Sequence, residues 1–232
     1  MAEDDKQNII IAIDGFSSTG KSTIAKQLAK ALNYIYVDTG AMYRAVTYYA
    51  IEQNIIGEGF FSSDALIAQL HHIHITFKFN EELGFAEVYL NNKNIEKAIR
   101  TLEVSRFVSP VATISEVRQK LVEEQQLMGK DRGIVMDGRD IGTVVFPDAE
   151  IKIFMIASAE TRAKRRYKEL LERGHHLSYD EVLENVTTRD RIDSSREDSP
   201  LVKAVDAIEI DNSEMTIDEQ VHQILKLVNS KE

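Results

Sequence analysis

Gly15-Phe16-Ser17-Ser18-Thr19-Gly20-Lys21-Ser22 decides how this chain folds, because it joins an apolar run at 9–13 to a helix-like run at 23–32. Strand, Gly-x-x-x-x-Gly-Lys-Ser and helix, in this order, are typical of a phosphate-binding loop. The two glycines let the backbone bend around an anion, beside the positive end of the following helix. We therefore expect the loop, with Thr23 after it, to hold the phosphates of a nucleotide. Lys21 would reach the β- and γ-phosphates, and the Ser22 hydroxyl would bind Mg²⁺.

Composition limits the classes of protein to which the chain can belong. Its 232 residues fit one α/β domain with an insertion, and a hydrophobic content of 43% is enough for a core. A net charge of −10 argues against nucleic-acid or membrane-surface partners. The chain has no cysteine, no signal-peptide pattern at its acidic N-terminus and no apolar run of about 18 residues. We expect a cytoplasmic protein.

Five short apolar runs alternate with helix-like segments. They lie at 9–13, 34–37, 133–136, 151–156 and 206–211. Nearly continuous apolar runs are typical of strands that are buried on both faces of a parallel sheet. The pattern therefore predicts an α/β fold, with a five-stranded parallel sheet flanked by helices and ligand sites at the carboxyl ends of the strands. Ser178-x-x-Glu181 and Thr216-x-x-Glu219 predict the starts of two late helices.

Residues 55–100 interrupt this alternation and predict a small antiparallel insertion. Ile73, Ile75, Phe77 and Phe79 alternate with polar residues, and turns at 80–84 and 91–94 flank a second strand at 85–90. One face of the hairpin is expected to be buried. Three histidines at 71, 72 and 74 suggest a metal, but no carboxylate supports such a site, so exposed histidines are the favoured interpretation.

Two loops at predicted strand ends carry charged residues. Arg44, about one turn into the helix that continues from Gly40, either binds a phosphate or is an ordinary surface arginine, and its spacing favours neither. The loop at 137–140, Asp-Gly-Arg-Asp, either holds a cation-bound water beside a phosphate or neutralises itself as a turn. Arg118 lies in a predicted helix at 101–129 that is interrupted at Pro110, and its position among polar residues predicts exposure to solvent.

The segment at 160–196 is rich in arginine. Seven arginines lie there: Arg162, Arg165, Arg166, Arg173, Arg189, Arg191 and Arg196. One interpretation is a solvated helical hairpin. The other is a helical lid that closes over the transferring phosphates and excludes water.

Three motifs together resemble the bacterial cytidylate kinase family over about residues 9–228. They are the residues 11–15 that lead into the loop, Asp38-Thr39-Gly40-Ala41-Met42-Tyr43-Arg44, and the long stretch at 137–149. The resemblance implies a single P-loop NTPase-type kinase core over 1–232, a nucleoside-monophosphate-side insertion at 55–100 and a lid at 160–196. It also implies transfer of the γ-phosphoryl group of ATP, with Mg²⁺, to CMP or dCMP by a monomer.

The resemblance also implies roles for individual residues. The residues implied in phosphate chemistry are Lys21, Arg44, Arg139, Arg162 and Arg166. Those implied in reading the cytosine edge are Ser109, Arg118 and Asp140, with Arg196 nearby, and those implied in contacting the sugar are Thr39, Arg189 and Asp193. This replaces the expectation of a solvated Arg118. Phe16 stands where the family commonly has proline and Thr39 where serine is frequent, and neither change removes a ligand group.

Two other functions stay open. One is a kinase of the same fold that acts on a different monophosphate or on a hydroxyl, which the stretch at 137–149 disfavours. The other is a regulatory nucleotide-binding switch that has no acceptor substrate. The Asn-Lys-x-Asp signature of GTP-binding switches is absent from the sequence.

Overall fold

The computed structural model describes residues 8–82, 84–172, 174 and 177–229. The acidic N-terminal stretch, Leu83 of the predicted turn and Arg173 of the arginine-rich segment lie outside the described residues.

Strands and helices alternate along the chain. The ten strands of the described chain are β1 Ile10–Gly15, β2 Ile35–Asp38, β3 Ile56–Gly57, β4 Phe60–Phe61, β5 Ile75–Asn80, β6 Phe85–Leu90, β7 Lys93–Asn94, β8 Ile134–Gly138, β9 Ile151–Ile156 and β10 Ile208–Asp211. Its eight α-helices are α1 Lys21–Leu32, α2 Thr39–Glu52, α3 Ser63–Gln69, α4 Leu102–Val111, α5 Ser115–Met128, α6 Ala159–Glu172, α7 Tyr179–Ser195 and α8 Ile217–Asn229.

A five-stranded sheet forms the centre of the fold. The strands lie in the order β10-β9-β1-β8-β2, and every neighbouring pair is parallel. All six residues of β1, the central strand, are buried. The predicted α/β class with five parallel strands is therefore confirmed. Because the strands are parallel, their carboxyl ends meet at one edge of the sheet, which brings Gly15, Asp38 and Gly138 together.

Separate apolar clusters cover the sheet and the region beside it. One cluster joins α1, through Ile24 and Leu28, to α8, through Ile224 and Val228. A larger cluster joins α2 to the insertion, α4 and α5. A third, smaller cluster lies around β8 and the turn that follows it.

The insertion is more elaborate than the sequence pattern predicts. Its sheet has three antiparallel strands, β5-β6-β7, because Lys93–Asn94 pairs with β6 instead of forming only a turn. Asn91 and Asn92 have φ values of 49° and 67°, as a tight hairpin turn requires. The helix α3 was not predicted. The buried face is shorter than expected, since Ile73 and Ile75 are buried but Phe79 is 68% exposed.

The helix ends that the sequence predicts are found in the structure. Ser178 and Glu181 form a capping box at α7, and Thr216 and Glu219 exchange the equivalent hydrogen bonds at α8. The predicted interruption at Pro110 is confirmed, since Pro110 lies in the last turn of α4, which ends at Val111, and α5 begins at Ser115. None of the described helices is both long and apolar enough to cross a membrane.

Candidate active site

A cleft of about 870 Å³ opens at the carboxyl edge of the sheet. Most residues that the sequence assigned to a site line it. They are Ser17, Ser18, Gly20, Lys21, Ser22, Thr23, Thr39, Arg44, Ser109, Arg118, Arg139, Asp140, Arg166, Arg189, Asp193 and Arg196. Four others, Gly15, Phe16, Thr19 and Arg162, lie beside the lining and support it.

The glycine-rich loop has the conformation that its glycines allow. Gly15 has a φ of 146°, and a Cβ atom there would lie 2.1 Å from the carbonyl oxygen of Met155. Gly20 has a φ of 92° and precedes the first turn of α1. These two positions need glycine, so that the loop can return close to β9 and then enter the helix.

Lys21 lies folded across the loop. Its Nζ donates hydrogen bonds to the carbonyl oxygens of Gly15 at 2.8 Å and Phe16 at 2.6 Å. Burial, and then the positive charge of Arg139, lower the pKa of Lys21 to about 7. The ammonium group is therefore held at the loop without a carboxylate in direct contact, which suits a group that must meet an anion.

Ser22 and Asp137 place two oxygen donors together at the start of α1. The Ser22 hydroxyl donates to Asp137 Oδ2 at 3.0 Å, and the Tyr36 hydroxyl donates to Oδ1 at 2.8 Å. Burial, and then the charge of Asp38, raise the pKa of Asp137 to about 6. The oxygens of a hydroxyl and of a carboxylate are suitable ligands for Mg²⁺, which usually keeps waters and phosphate oxygens as its other ligands. This pair therefore fits the predicted metal.

Several arginines meet on the opposite side of the cleft. Arg44 donates to the Ser105 hydroxyl at 2.9 Å, and Arg166 donates to the same oxygen at 3.2 Å. Burial, and then the charges of Arg189 and Arg166, hold the pKa of Arg44 well below its usual value. Burial and Arg139 lower the pKa of Arg189 to about 10. Buried cations that repel one another are stabilised by an anion, so the geometry favours a phosphate here rather than a surface role for Arg44.

Arg118 and Asp140 form a buried ion pair further along the cleft. Both residues are less than 5% exposed, and Arg118 also donates to the carbonyl of Ala112 at 3.1 Å. The expectation from pattern alone that Arg118 is solvated is therefore wrong, because α5 turns this side chain inward beneath the ring of Tyr43, 5.4 Å away.

Polar atoms around this pair lack partners. Among the described side chains, Tyr43 Oη, Arg118 Nε and Arg196 Nη2 are buried without a hydrogen bond, and Ser109 lines the cleft nearby. Buried polar atoms are rarely left unpaired, so these atoms indicate room for a polar ligand.

Two of the predicted sugar-binding residues, Thr39 and Asp193, form hydrogen bonds with other residues of the protein. The Thr39 hydroxyl donates to the carbonyl of Asp137 at 2.7 Å, and Arg139 Nε donates to Asp193 Oδ2 at 2.9 Å. Arg189 Nε is buried without a hydrogen-bond partner in the described chain. Arg139 and Asp193 thus connect the loop after β8 to α7.

Arg162 braces the loop and does not line the cleft. It pairs with Asp190 of α7, with Nη2 and Oδ2 2.6 Å apart, and it donates to the carbonyl of Ser17 at 3.2 Å. Its guanidinium also lies 5.2 Å from the centre of the Phe16 ring. Arg162 therefore contacts the glycine-rich loop and not the cleft, whereas Arg166 lines the cleft, and the phosphate role of Arg162 stays a prediction.

Some residues that shape the site were not assigned to it from the sequence. Asp14 accepts hydrogen bonds from the backbone N–H groups of Ile141 and Gly142, both at 2.8 Å. Its signal was visible, since a carboxylate ends an otherwise apolar strand. Tyr36 and Ser105 gave no comparable signal, because a tyrosine in a strand and a serine in a helix are ordinary.

Comparison with known proteins identifies close relatives. A family model described as cytidylate kinase matches residues 11–230. Cytidylate kinase of Flavobacterium johnsoniae is 66% identical over 223 residues, which cover 96% of this chain and 97% of the relative. Cytidylate kinase of Flavobacterium psychrophilum is 63% identical over 97% of this chain and 99% of the relative. That of Parabacteroides distasonis is 57% identical over 95% and 96%.

A solved structure supports the fold alone. An uncharacterized protein from Eubacterium ventriosum superposes with a TM-score of 0.50 at 14% identity, over 97% of this chain and 99% of that protein.

Proposed function

This chain belongs to the cytidylate kinase family, and we propose that its cleft transfers the γ-phosphoryl group of ATP to CMP or dCMP. The observation that carries the proposal is that one cleft is lined by both a glycine-rich loop and a group of buried arginines, each of which suits an anion. The glycine-rich loop lies on one side, and the group of arginines around Arg44 lies on the other. A kinase that transfers a phosphoryl group between two phosphorylated substrates must bind both of them.

The loop side would hold ATP. Backbone N–H groups of residues 15–23 would bind the phosphates, and Lys21 would leave the carbonyls of Gly15 and Phe16 to meet them. Ser22 and Asp137 would hold Mg²⁺. When bound, the ion would neutralise charge on the phosphate oxygens of ATP.

The arginine side would hold the acceptor. Arg44 and Arg139 would bind the phosphate of CMP, with Arg139 oriented by Asp193. A phosphate oxygen is already anionic, so no strong general base is needed. The difficulty is to bring two anions together, and Lys21, Arg139 and Arg166 would supply positive charge where the phosphoryl group passes.

Asp140 would select the base. Cytosine carries an amino donor at C4 where uracil carries an acceptor, so a carboxylate at this edge favours cytosine. Arg118 fixes this carboxylate in place. Ser109 and Arg196 would complete the contacts to the base, and Thr39, Arg189 and Asp193 would contact the sugar.

The region at 160–196 would act as the lid. Arg166 already reaches the cleft from α6, and Arg162 joins α6 to α7 through Asp190. Closure would bring these helices over the phosphates and exclude water. We expect a cytoplasmic monomer with ATP and CMP as its partners. Because the chain is acidic, we expect no affinity for nucleic acid or for membranes.

A coupled assay of ADP formation tests the proposal. With Mg²⁺ and ATP present, CMP and dCMP should each support faster turnover than UMP, AMP or GMP. Faster turnover with AMP or GMP would contradict it. Slow hydrolysis of ATP without any nucleoside diphosphate from CMP would instead favour the regulatory switch.

A further inference from the structure

Ser105 lies behind the cleft, at the point where two of its arginines meet. Its hydroxyl oxygen, on α4, accepts hydrogen bonds from Arg44 of α2 at 2.9 Å and from Arg166 of α6 at 3.2 Å. Ser105 is only 1% exposed, so these two hydrogen bonds lie away from bulk solvent. One hydroxyl therefore joins the acceptor side of the cleft to the arginine-rich lid region.

The charges at this point are poorly balanced. Within the described chain, Arg44 forms no ion pair, and its other hydrogen bond goes to the carbonyl of Ile99 at 3.5 Å. Arg166 pairs with Glu169, whose side chain is 40% exposed. Burial and the neighbouring cations Arg189, Arg166 and Arg100 all disfavour the charge on Arg44. Ser105 thus holds two like charges side by side with a neutral oxygen.

A neutral hydroxyl is a weaker acceptor for a guanidinium than a phosphate is. A guanidinium carries five N–H donors, and a phosphate accepts two of them at once through parallel hydrogen bonds, whereas a hydroxyl offers one neutral oxygen. An incoming phosphate can therefore bind the N–H groups of both arginines that Ser105 does not use, and the repulsion between the cations favours its binding while the hydroxyl stays in place. The hydroxyl keeps the guanidinium groups in place without competing strongly for them.

We propose that Ser105 is a positioning residue that presents Arg44 and Arg166 as a pair to the phosphate of the acceptor nucleotide. The proposal rests on the proposed function, which assigns Arg44 to that phosphate. It adds a link between the acceptor and α6, since the same oxygen aligns a fixed arginine and a lid arginine. Binding of the acceptor phosphate and the position of α6 then influence each other reciprocally.

The competing explanation is packing alone. In that case Ser105 only fills space between α2 and α4, and loss of its hydroxyl changes the stability of the protein but not its preference for a phosphate. The two explanations differ in one measurable quantity, the ratio of the affinity for CMP to the affinity for cytidine. Cytidine has the same base and sugar but no phosphate.

Isothermal titration of CMP and of cytidine into the wild type and Ser105→Ala measures this ratio. We expect CMP affinity to fall about tenfold in Ser105→Ala, because the two guanidinium groups are no longer held in place for the phosphate, with cytidine affinity unchanged. In kinetics, KM for CMP should rise while KM for ATP stays within about twofold. The matched control is Thr47→Val, which removes a buried hydroxyl on α2 that bonds only to the carbonyl of Tyr43.

The outcomes separate the inference from the proposed function. A CMP-to-cytidine ratio equal to the wild type in Ser105→Ala, with CDP still formed, overturns the role of Ser105 alone. Equal losses for CMP and cytidine also overturn it, since they indicate distortion of the cleft. Absence of CDP from the wild type with Mg²⁺ and ATP overturns the proposed function instead. If Ser105→Ala does not fold, Ser105→Cys retains the volume with a weaker acceptor and should lower the ratio in the same direction.

Discussion

Asp140, the carboxylate that we propose to select the base, also belongs to a buried ion pair. It pairs with Arg118, and its Oδ1 lies 4.0 Å from Arg196 Nη2, one of several buried polar atoms nearby that form no hydrogen bond in the described chain. Removal of one member of a buried ion pair leaves an uncompensated charge and costs about 3–5 kcal/mol of stability. Even a substitution that keeps the shape of the side chain leaves Arg118 without its partner, so the effect of Asp140 on the base is isolated by a ratio between two substrates, in which a general loss of activity cancels.

We expect Asp140→Asn to lower the preference for CMP over UMP by at least about tenfold, because an amide no longer offers two acceptor oxygens to cytosine. The ratio of kcat/KM for the two substrates measures this effect. Asp148→Asn, an exposed aspartate of the same motif, is the control and should leave the ratio unchanged. A ratio unchanged in Asp140→Asn would show that other groups read the base.

The lowered pKa of Lys21 predicts that nucleotide binding depends on pH. Burial lowers its pKa to about 7 in the free protein, so the protonated fraction falls as the pH rises through 7. At pH 8 the lysine must take up a proton when it meets the phosphates, and ATP binding should weaken as the pH rises further. Titration calorimetry of ATP at pH 8, in buffers of different ionisation enthalpy, measures this uptake. Lys21→Met should reduce it, and a binding heat independent of buffer in the wild type would contradict the prediction.

The turn after β8 depends on a carboxylate from β1. Asp14 binds the N–H groups of Ile141 and Gly142 and thereby fixes the turn that follows Asp140. The strand that leads into the glycine-rich loop therefore also shapes the side of the cleft where Asp140 lies. Burial raises the pKa of Asp14 to about 6, despite these hydrogen bonds.

The sign of its effect on stability follows from the raised pKa. The native state binds the proton of Asp14 more tightly than the unfolded state, so this group favours the native state in acid. Its contribution is lost as the pH rises from about 4 to about 6, by on the order of 3 kcal/mol. We expect Asp14→Asn to lose this part of the slope of unfolding free energy against pH, as measured by urea denaturation. Asp137, whose pKa is also raised, remains in the variant as an internal reference. Equal slopes in the two proteins would contradict the prediction.

Periodicity predicted the elements that bury a regular face. The apolar runs of β1, β8 and β9 are buried on both faces, and such runs have few alternatives to a central parallel strand. The buried face of the hairpin in the insertion was harder to predict, because alternation does not show where the apolar cluster that covers it ends. Phe79 continues the pattern of Ile75 but extends past the apolar cluster into solvent.

The candidate site was predictable where a motif fixed the backbone. The glycine-rich loop is such a motif, since Gly15 and Gly20 occupy conformations that few other residues adopt. Arg118 was not predictable from its neighbours, because its burial depends on Asp140, which is 22 residues away. Only the resemblance to a family indicated that role. Ser105 and Tyr36 could not be found from the sequence, as their partners come from other elements of the fold.

Separate apolar clusters in one chain predict additive effects of mild substitutions. Ile24 lies in the cluster between α1 and α8, and Ile99 lies in the cluster of the insertion and α4. Each Ile→Val substitution should cost about 0.5–1.5 kcal/mol. Because the two residues share no cluster, the double variant should lose the sum within about 0.5 kcal/mol. Urea denaturation of the four proteins measures this, and a clear departure from the sum would show that the clusters are coupled through the sheet.

The crowded arginines around Arg44 also bear on how the protein should be handled. The chain as a whole is strongly acidic and should bind an anion-exchange resin, yet this cavity should attract small oxyanions from the buffer. Inorganic phosphate, sulfate and citrate would compete there with the natural ligand and lower its apparent affinity. Purification and titration in Tris or HEPES chloride would leave the cavity open. A deliberate soak with sulfate would mark the cavity in a crystal.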